Sequence, residues 1–570
     1  TAYEIRLSLV GSEMCIRDRG NTALDERLGR DGALLERLRK GTHDLRTKLL
    51  AHLDSAGAKY PGDAWIAGQR VRFEVDQRNF AHALAVATAC RGDIWWCAAL
   101  RGFAHTSAGA ARNADIAFDE MRRSMPPARR CEWDDLRQLL PPAARKDYET
   151  LNCAERERIN ERLWWLATPL YRHGGNDRLR AHFHRHVEIA LHRTMARDER
   201  YWWGDAYGGD ALSSMIIRYG WPDYTAWGGD SVDVDHTDYL QVRKSPPAAP
   251  YTTFEYSADR VNTMPNWLTV AKPFEAVESS WLLSFDDAIG RPFTTWWPEE
   301  LFRPDRRLVQ FGEGQNALLR RENNILVAAA VPFFHPLLGA SVRTFDVLML
   351  ATPGPSRVDT AGHRNAVGGE TVVVKGLIEP APAIVSIEAQ GIGSSQVDAR
   401  TRFGVTPPPT LSAMAVGDIA ISDPVLLDVA EVDIDARPAS EALLDRMLGT
   451  VTLGTANRRV GVYWETYGIA ANDTVMISVR VATDQELSAM RRLGMALNVA
   501  ENPNRAIVQR WTEPDARRAT GTTPGRVSIQ SRAIVLNLAL LQPDSYMVEV
   551  SVERKDGRVV TGRRRVVVER

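Results

Sequence analysis

Residues 64–126 read AWIAGQRVRFEVDQRNFAHALAVATACRGDIWWCAALRGFAHTSAGAARNADIAFDEMRRSMP. Gly68, Phe80 and Leu84 are answered 34 residues later by Gly102, Ala114 and Phe118, and Pro126 closes the second unit. A period of that length, with a small residue early and apolar anchors later, describes stacked pairs of helices. One pair hides only one face, so pairs must pack on each other, and glycine or alanine at the contact allows close approach. Two units are fewer than the roughly three that support themselves, so flanking helices must act as caps. Upstream, Leu24 and Leu28, then Leu34, Leu35 and Leu38, then Leu45, Leu49 and Leu53 recur at helical spacing, with Gly41 expected to break the run. Downstream, helical patterning continues from Trp133 to Met195, punctuated by Pro141, Pro142 and Pro169.

The repeat resembles the tetratricopeptide pattern, with the Trp-x-x-Leu-Gly opening degraded in both copies. An irregular helical bundle is the alternative. From about Tyr251 the helical period fades. Short β-rich runs stand between Gly, Pro, Asn and Asp clusters: Ile325 to Val331, Val342 to Leu350, Thr371 to Val374 and Ile384 to Ile387. Val475, Ile477, Val479 and Val481 alternate, as do Tyr546, Val548, Val550 and Val552, so each strand buries one face. Asp556-Gly557 supplies a tight turn before Val566 and Val568. Leu541-x-Pro543-x-x-Tyr546 has the form of a tyrosine corner, which pins the crossing between sheets of an immunoglobulin-like sandwich; a Tyr that merely belongs to the strand face is the alternative.

The expected fold is therefore multidomain α + β: a tetratricopeptide-like helical array followed by immunoglobulin-like β-sandwich modules. The expected parts are 20–150 (helical array), 151–245 (a helical and turn segment), 250–435 (β-rich, sandwich-like) and 450–570 (C-terminal sandwich). Residues 1–19, TAYEIRLSLVGSEMCIRDR, resemble translated sequencing adapter: Thr1 to Ile5 match the end of a flow-cell primer and Leu9 to Arg19 a transposase adapter. They carry three basic and three acidic residues, so the net charge of −1 is the same with or without them. That balance removes the strongly basic signature of a dedicated nucleic-acid binder. No run of about 18 apolar residues is present, so no membrane-spanning helix is expected.

The stretch from Cys153 to Asp223 is similar to the GWxTD-domain proteins of bacteria. Asn176-Asp177-Arg178 opens an Arg- and His-bearing helix, and Arg218-Tyr219-Gly220-Trp221-Pro222-Asp223 matches the family's ending. Trp202-Trp203-Gly204-Asp205 stands where the eponymous motif belongs, without its spacing or its threonine. Ser422-Asp423-Pro424-Val425-Leu426 looks like a further family strand. The resemblance implies an exported, periplasmic or envelope protein and supplies no reaction. Physically, Gly220 permits a close backbone approach, Pro222 holds Trp221 extended, and Asp223 caps a turn.

Candidate chemistry is sparse. His182 and His186 share a helix face at i, i+4, a spacing that suits a metal, with Asp205 or Asp235 as further ligands. Glu188 and His192 repeat the spacing. The bland reading is a polar helix face. Asp230, Asp233, Asp235 and Asp238 form an acidic loop without EF-hand order. Cys90, Cys97, Cys131 and Cys153 allow three connectivities. In an oxidising compartment proximity favours 90–97 and 131–153, with buried free thiols as the alternative. The doublets Trp95-Trp96, Trp164-Trp165, Trp202-Trp203 and Trp296-Trp297 suit either core packing or carbohydrate stacking. There is no Gly-x-Ser-x-Gly elbow, phosphate loop or zincin helix, so neither a catalytic residue nor a cofactor is assigned. The expected function is a non-enzymatic binding or scaffolding protein of the cell envelope. It would meet another protein or an envelope polymer through an aromatic- or arginine-lined groove on the repeat surface. The alternative is a metal-dependent hydrolase centred on the His182–His192 helix.

Overall fold

The computed structural model describes residues 32–140, 142–193, 216–217, 224–228, 239–243, 251–257, 271–281, 299–303, 306–311, 314–333, 344–392, 397–415, 417–429, 440–454, 458–470, 473–483, 507–513, 519–520 and 527–569. The adapter-like residues 1–19 lie outside them. The chain divides into two compact units, 1–269 with 283–308, and 270–282 with 309–570. The boundary expected near 250 thus falls inside the first unit.

The first unit is a helical region: α1 Gly32–Lys59, α2 Ala64–Asp76, α3 Phe80–Thr88, α4 Ile94–Ser107, α5 Ala111–Ser124, α6 Pro127–Trp133, α7 Pro142–Glu149, α8 Cys153–Ala167 and α9 Asp177–Arg193. Gly41 does not break α1 as expected. The helix runs through it, and a glycine there costs only about 1 kcal/mol against alanine. Asp63 starts α2 by accepting the backbone N–H groups of Trp65 and Ile66 at 2.9 and 3.0 Å. Asn152 and Glu155 form a reciprocal capping box on α8.

The helices α2–α3 and α4–α5 are the two repeat pairs. Gly102 is required: a Cβ there would sit 2.4 Å from the Phe118 ring. Gly68, its counterpart, faces differently. A Cβ there would meet Leu191 of α9 at 2.7 Å and Trp96 at 3.3 Å. Val71, Phe103, Phe118, Met121 and Trp133 share one core with Phe183, Val187 and Leu191 of α9. The aromatics of the repeat pairs are therefore interior, the core-packing alternative of the two readings open for such rings. Trp96, Phe103 and Phe118 are buried, because α9 lies on the face that carries them. The segment expected to be helix and turn up to 245 also contains strand. Tyr224–Gly228 (β1), Tyr239–Arg243 (β2) and Tyr251–Ser257 (β3) form an antiparallel sheet in the order β1-β3-β2. Two short strands, β4 Glu299–Arg303 and β5 Arg306–Gln310, follow.

The second unit is built of β-sheets. Its strands are β6 Gln315–Arg321, β7 Asn324–Pro332, β8 Phe345–Gly354, β9 Arg357–Ala366, β10 Thr371–Ile378, β11 Ala383–Gly391 and β12 Val397–Val405. Then come β13 Ala420–Ile421, β14 Val425–Leu427, β15 Thr452–Leu453, β16 Arg459–Tyr467, β17 Val475–Thr483, β18 Ile507–Glu513, β19 Ala519–Thr520, β20 Ile529–Asn537, β21 Asp544–Arg554 and β22 Val559–Val568. Four sheets stack: β9-β8-β11-β12, then β10-β7-β6, then β13-β16-β20-β19, then β15-β22-β21-β17-β18. Pairing is antiparallel throughout apart from the short parallel contact of β15 with β22.

Three apolar layers separate the four sheets. The first holds Val327, Val347, Val374, Ile387 and Phe403. The third holds Val462, Trp464, Ile477, Val479, Val548 and Val550. The middle layer joins the two sandwiches, with Leu319, Leu326, Ala328 and Val373 on one side and Val425, Leu427 and Tyr463 on the other. Strand β7 shows what this does to sequence. It lies in an inner sheet, so both faces are buried and Ile325–Val331 is apolar without alternation. Strand β17 lies in an outer sheet and alternates buried with half-exposed. At the last hairpin Gly557 takes φ +82°, which the turn requires.

A buried polar clamp crosses the middle layer. Tyr463, Glu465 and Tyr467 lie on one face of β16. Arg321 donates to both Glu465 oxygens at 2.7 and 2.9 Å. The Tyr463 and Tyr467 hydroxyls donate to the same carboxylate at 2.5 and 2.9 Å, and Tyr467 accepts from the Arg320 N–H at 3.0 Å. Gln315 bridges separately, donating to the Leu448 carbonyl at 2.6 Å and accepting from the Leu426 N–H at 2.9 Å. Removing one partner of such a pair strands a buried charge and costs about 3–5 kcal/mol. Arg321→Met should therefore lower the unfolding free energy of the β unit by that amount, and Arg321→Met with Glu465→Met should recover a large part of it. Urea unfolding followed by tryptophan fluorescence checks both.

Candidate functional site

The most chemically loaded region of the first unit is helix α9 and its surroundings. Asn176 caps it. Its side-chain oxygen accepts from the N–H groups of Arg178 and Leu179 at 3.0 and 3.1 Å, and its amide donates to the Trp164 carbonyl at 2.6 Å. One side chain thus starts α9 and ties it to the end of α8. Asp177 is buried in the first turn, where a carboxylate suits the helix dipole.

One turn on, Arg180 reaches α5. Its Nε and Nη2 donate to the two oxygens of Asp115 at 2.7 and 2.9 Å, and its Nη1 bonds Asp177. Burial alone would lower the Arg180 pKa, but the bond to Asp115 and the charge of Asp177 raise it overall, so the guanidinium is held charged. Gly175, at φ +74°, makes room for this fork, since a Cβ there would meet the Asp115 carboxylate.

The histidines follow. His182 is buried, and its Nε2 donates to the Trp133 carbonyl at 2.8 Å. Its ring lies 5.3 Å from Trp164 and 4.5 Å from His186. His186 stacks on Trp133 at 5.2 Å. His184 turns to α4, stacking on Phe103 at 4.5 Å with its Nε2 3.2 Å from the Ser107 hydroxyl. Burial pushes His182 down to about 4, only partly offset by the bond to Trp133. Burial and then the nearby Arg185 push His184 down to about 4 as well. Both are neutral packing histidines near neutral pH.

The bond from Nε2 to the Trp133 carbonyl fixes the His182 tautomer and leaves Nδ1 as the nitrogen that a metal would take. Among the described residues no three His, Cys, Asp or Glu side chains converge. Asp205 and Asp235, the further ligands expected, lie outside the described residues, as do Asp230, Asp233, Asp238 and the side chain of His192. Of the family-motif residues, Asn176 and Asp177 are described, while Arg218, Tyr219, Gly220, Pro222 and Asp223 are not. The doublets Trp202-Trp203 and Trp296-Trp297 fall outside too. Trp96, Trp164 and Trp165 are buried, and Trp95 is packed against the same core as Trp96.

The four cysteines among the described residues are paired, Cys90 with Cys97 and Cys131 with Cys153, each with Cα atoms 5.6 Å apart. The first bond closes the turn between α3 and α4. The second ties α6 to the first residue of α8. Beside it, Asn160 donates to the Asp134 carbonyl at 2.6 Å and accepts from the Tyr148 hydroxyl at 3.0 Å, and Arg156 pairs with Asp135 at 2.7 Å. Sequence reasoning did not single out Asp115, Arg180, Trp133 or Asn160. Apart from Asp177, one turn from Arg180, their partners are 12 to 65 residues away, where no local spacing marks them.

No family model matches this chain, and no curated protein matches it either. Among solved structures, the crystal structure of red sea bream transglutaminase aligns over 45% of this chain at 9% identity and a TM-score of 0.13. The aligned part spans 31% of that neighbour's length, and at such a score the likeness carries no statement about fold or activity.

The histidines imply a pH dependence. A histidine held near 4 when folded and near 6.5 when unfolded binds its proton in the unfolded chain first. Its contribution is fully present above about 6.5 and is lost as pH falls toward 4, up to about 3 kcal/mol for the buried His182. Thermal unfolding followed by helical circular dichroism should show the helical unit losing stability across that window. His182→Gln, which keeps a donor toward Trp133, should flatten the loss.

Proposed function

We propose that this chain is a non-enzymatic binding or scaffolding protein of the bacterial cell envelope. It combines a tetratricopeptide-like helix array, a GWxTD-like segment and two immunoglobulin-like sandwiches. The observation that carries the reading is how the ionisable side chains are used. Asp115, Asp177, Arg180 and His182 join α5, α6 and α9, and Arg321, Glu465, Tyr463 and Tyr467 join two sandwiches. Groups that could do chemistry are spent as struts, which suits a rigid adaptor.

The strand orders support the immunoglobulin-like reading. Lettered in chain order, β6, β7 and β10 form an A-B-E sheet opposite G-F-C-C′ from β12, β11, β8 and β9. The last sandwich has A-B-E-D in β13, β16, β20 and β19. Opposite stands G-F-C-C′ in β22, β21, β17 and β18, with β15 as a parallel A′ beside G. Tyr546 on the F strand donates to the Gln542 carbonyl at 2.8 Å, the bond a tyrosine corner makes. The 34-residue spacing and the Gly102–Phe118 contact support the tetratricopeptide-like reading. Two disulfides support an exported, oxidising location. The proposal sets residues 1–19 apart as adapter; a genomic locus encoding them as part of the gene would overturn that part.

With α9 on the repeat core, the partner surface in this proposal is the outer face, where Ile94 and Ile116 stand exposed. A photo-cross-linking residue at Ile116, in protein expressed with its export signal, should give discrete adducts with an envelope protein or polymer. Recovery of the uncross-linked chain alone would argue against the reading. The metal-hydrolase reading has one observation in its favour, the 4.5 Å separation of the His182 and His186 rings. It requires about one equivalent of zinc retained after dialysis and lost in His186→Ala.

A further inference from the structure

The two disulfides stand in opposite surroundings. Cys97 is buried and Cys90 packs against the helical core, so attack on that bond requires the core to open. Cys131 is half-buried and Cys153 is exposed, so an external thiol reaches the second bond directly. Cys153 is also the first residue of the fifteen-residue helix α8. A thiolate there lies at the positive end of the helix dipole and is a better leaving group than an ordinary cysteine. Attack on the exposed Cys153 sulfur is favoured by access and expels Cys131, whereas attack on the half-buried Cys131 sulfur expels the stabilised Cys153 thiolate; either route opens the same bond.

What the bond holds is a defined segment. It closes a loop of 22 residues that contains the end of α6 and all of α7. Trp133, on α6, carries the carbonyl that accepts from His182 and the ring that stacks on His186 and meets Trp95. The Arg122–Asp134, Arg156–Asp135 and Asn160–Asp134 contacts hold the end of α6 through groups other than the disulfide. Reduction therefore loosens the loop and leaves Trp133 anchored.

We propose that Cys131–Cys153 is a redox-addressable latch on the α6–α7 loop, opened by a dithiol reductant, while Cys90–Cys97 is a permanent structural bond. In the opening step a reductant thiolate attacks one sulfur. The S–S bond breaks, a mixed disulfide forms, and the other cysteine leaves with the electron pair as a thiolate. The second reductant thiol displaces the first cysteine and closes the reductant's own disulfide. Two electrons and two protons pass from the dithiol to the protein.

The oxidised full-length chain, equilibrated in graded dithiothreitol and trapped with N-ethylmaleimide, tests this by peptide mass. Cys131 and Cys153 should be labelled at a dithiothreitol ratio at least tenfold lower than Cys90 and Cys97, equivalent to about 30 mV. Amide exchange in α7 and in the turn before α8 should rise roughly a hundredfold on reduction, matching the entropy a loop of this size regains. Exchange in α4 and α5 should stay unchanged, and Cys131→Ser with Cys153→Ser should reproduce the reduced pattern. If that variant does not fold, the reduced wild-type chain gives the same readout. The proposal is overturned if oxidised protein lacks either bond or if Cys90–Cys97 opens first or together with the other. It is equally overturned if exchange in α7 does not change or if the whole helical unit unfolds on reduction.

Discussion

The join between the two sandwiches of the β unit is built around a buried carboxylate. Glu465 sits on strand β16 with an apolar layer on either side of its sheet, fully removed from solvent. An isolated carboxylate there would be untenable, since burial of an unpaired charge costs many kcal/mol. Arg321 and the hydroxyls of Tyr463 and Tyr467 satisfy it, and Arg321 comes from the other sandwich. The register between the two sandwiches is thereby set. Apolar layers alone tolerate sliding, whereas a bidentate pair tolerates almost none. Burial of the tyrosines beside a carboxylate also pushes both phenols well above their ordinary range, so they remain donors.

The helical unit uses the same device on a smaller scale. Arg180 forks across Asp115, and His182 hangs from the Trp133 carbonyl. These contacts bring α9 onto the repeat pairs, where Leu191 fills the space left by Gly68. An array of two repeats has too little interior to stand alone. Here the missing face is supplied by a helix more than fifty residues downstream of the repeats. The disulfide between Cys131 and Cys153 and the Asn160–Tyr148 contacts brace α6, α7 and α8, the first and last of which touch α9.

Much of the architecture was legible in residue patterns. The 34-residue period marked α2 to α5 because close helix packing demands a small residue at Gly102. The unbroken apolar run of β7 and the alternation of β17 and β21 recorded inner and outer sheets, since an inner strand must satisfy two apolar layers. The Tyr546 hydroxyl bonds the Gln542 carbonyl, a contact only four residues long. Two readings went astray for identifiable reasons. Gly41 does not break α1, because one poor helix former is outweighed by its neighbours. Strands β1 and β2 occupy part of a segment expected to be helix and turn. The candidate metal positions Asp205 and Asp235 lie outside the described residues, and His182 and His186 are packed against Trp164 and Trp133.

Local chemistry in the sequence determined the elements: where helices start, which strands bury one face, and that an α half precedes a β half. Only the tertiary structure decided which charges meet. Asp115 and Arg180 are 65 residues apart, and Arg321 and Glu465 are 144 apart. No spacing rule links such pairs. A buried ion pair is specified jointly by two sheets or two helices whose packing must already exist. Composition, period and alternation act over a few residues, whereas the desolvation that makes Glu465 and His182 what they are is a property of the assembled core.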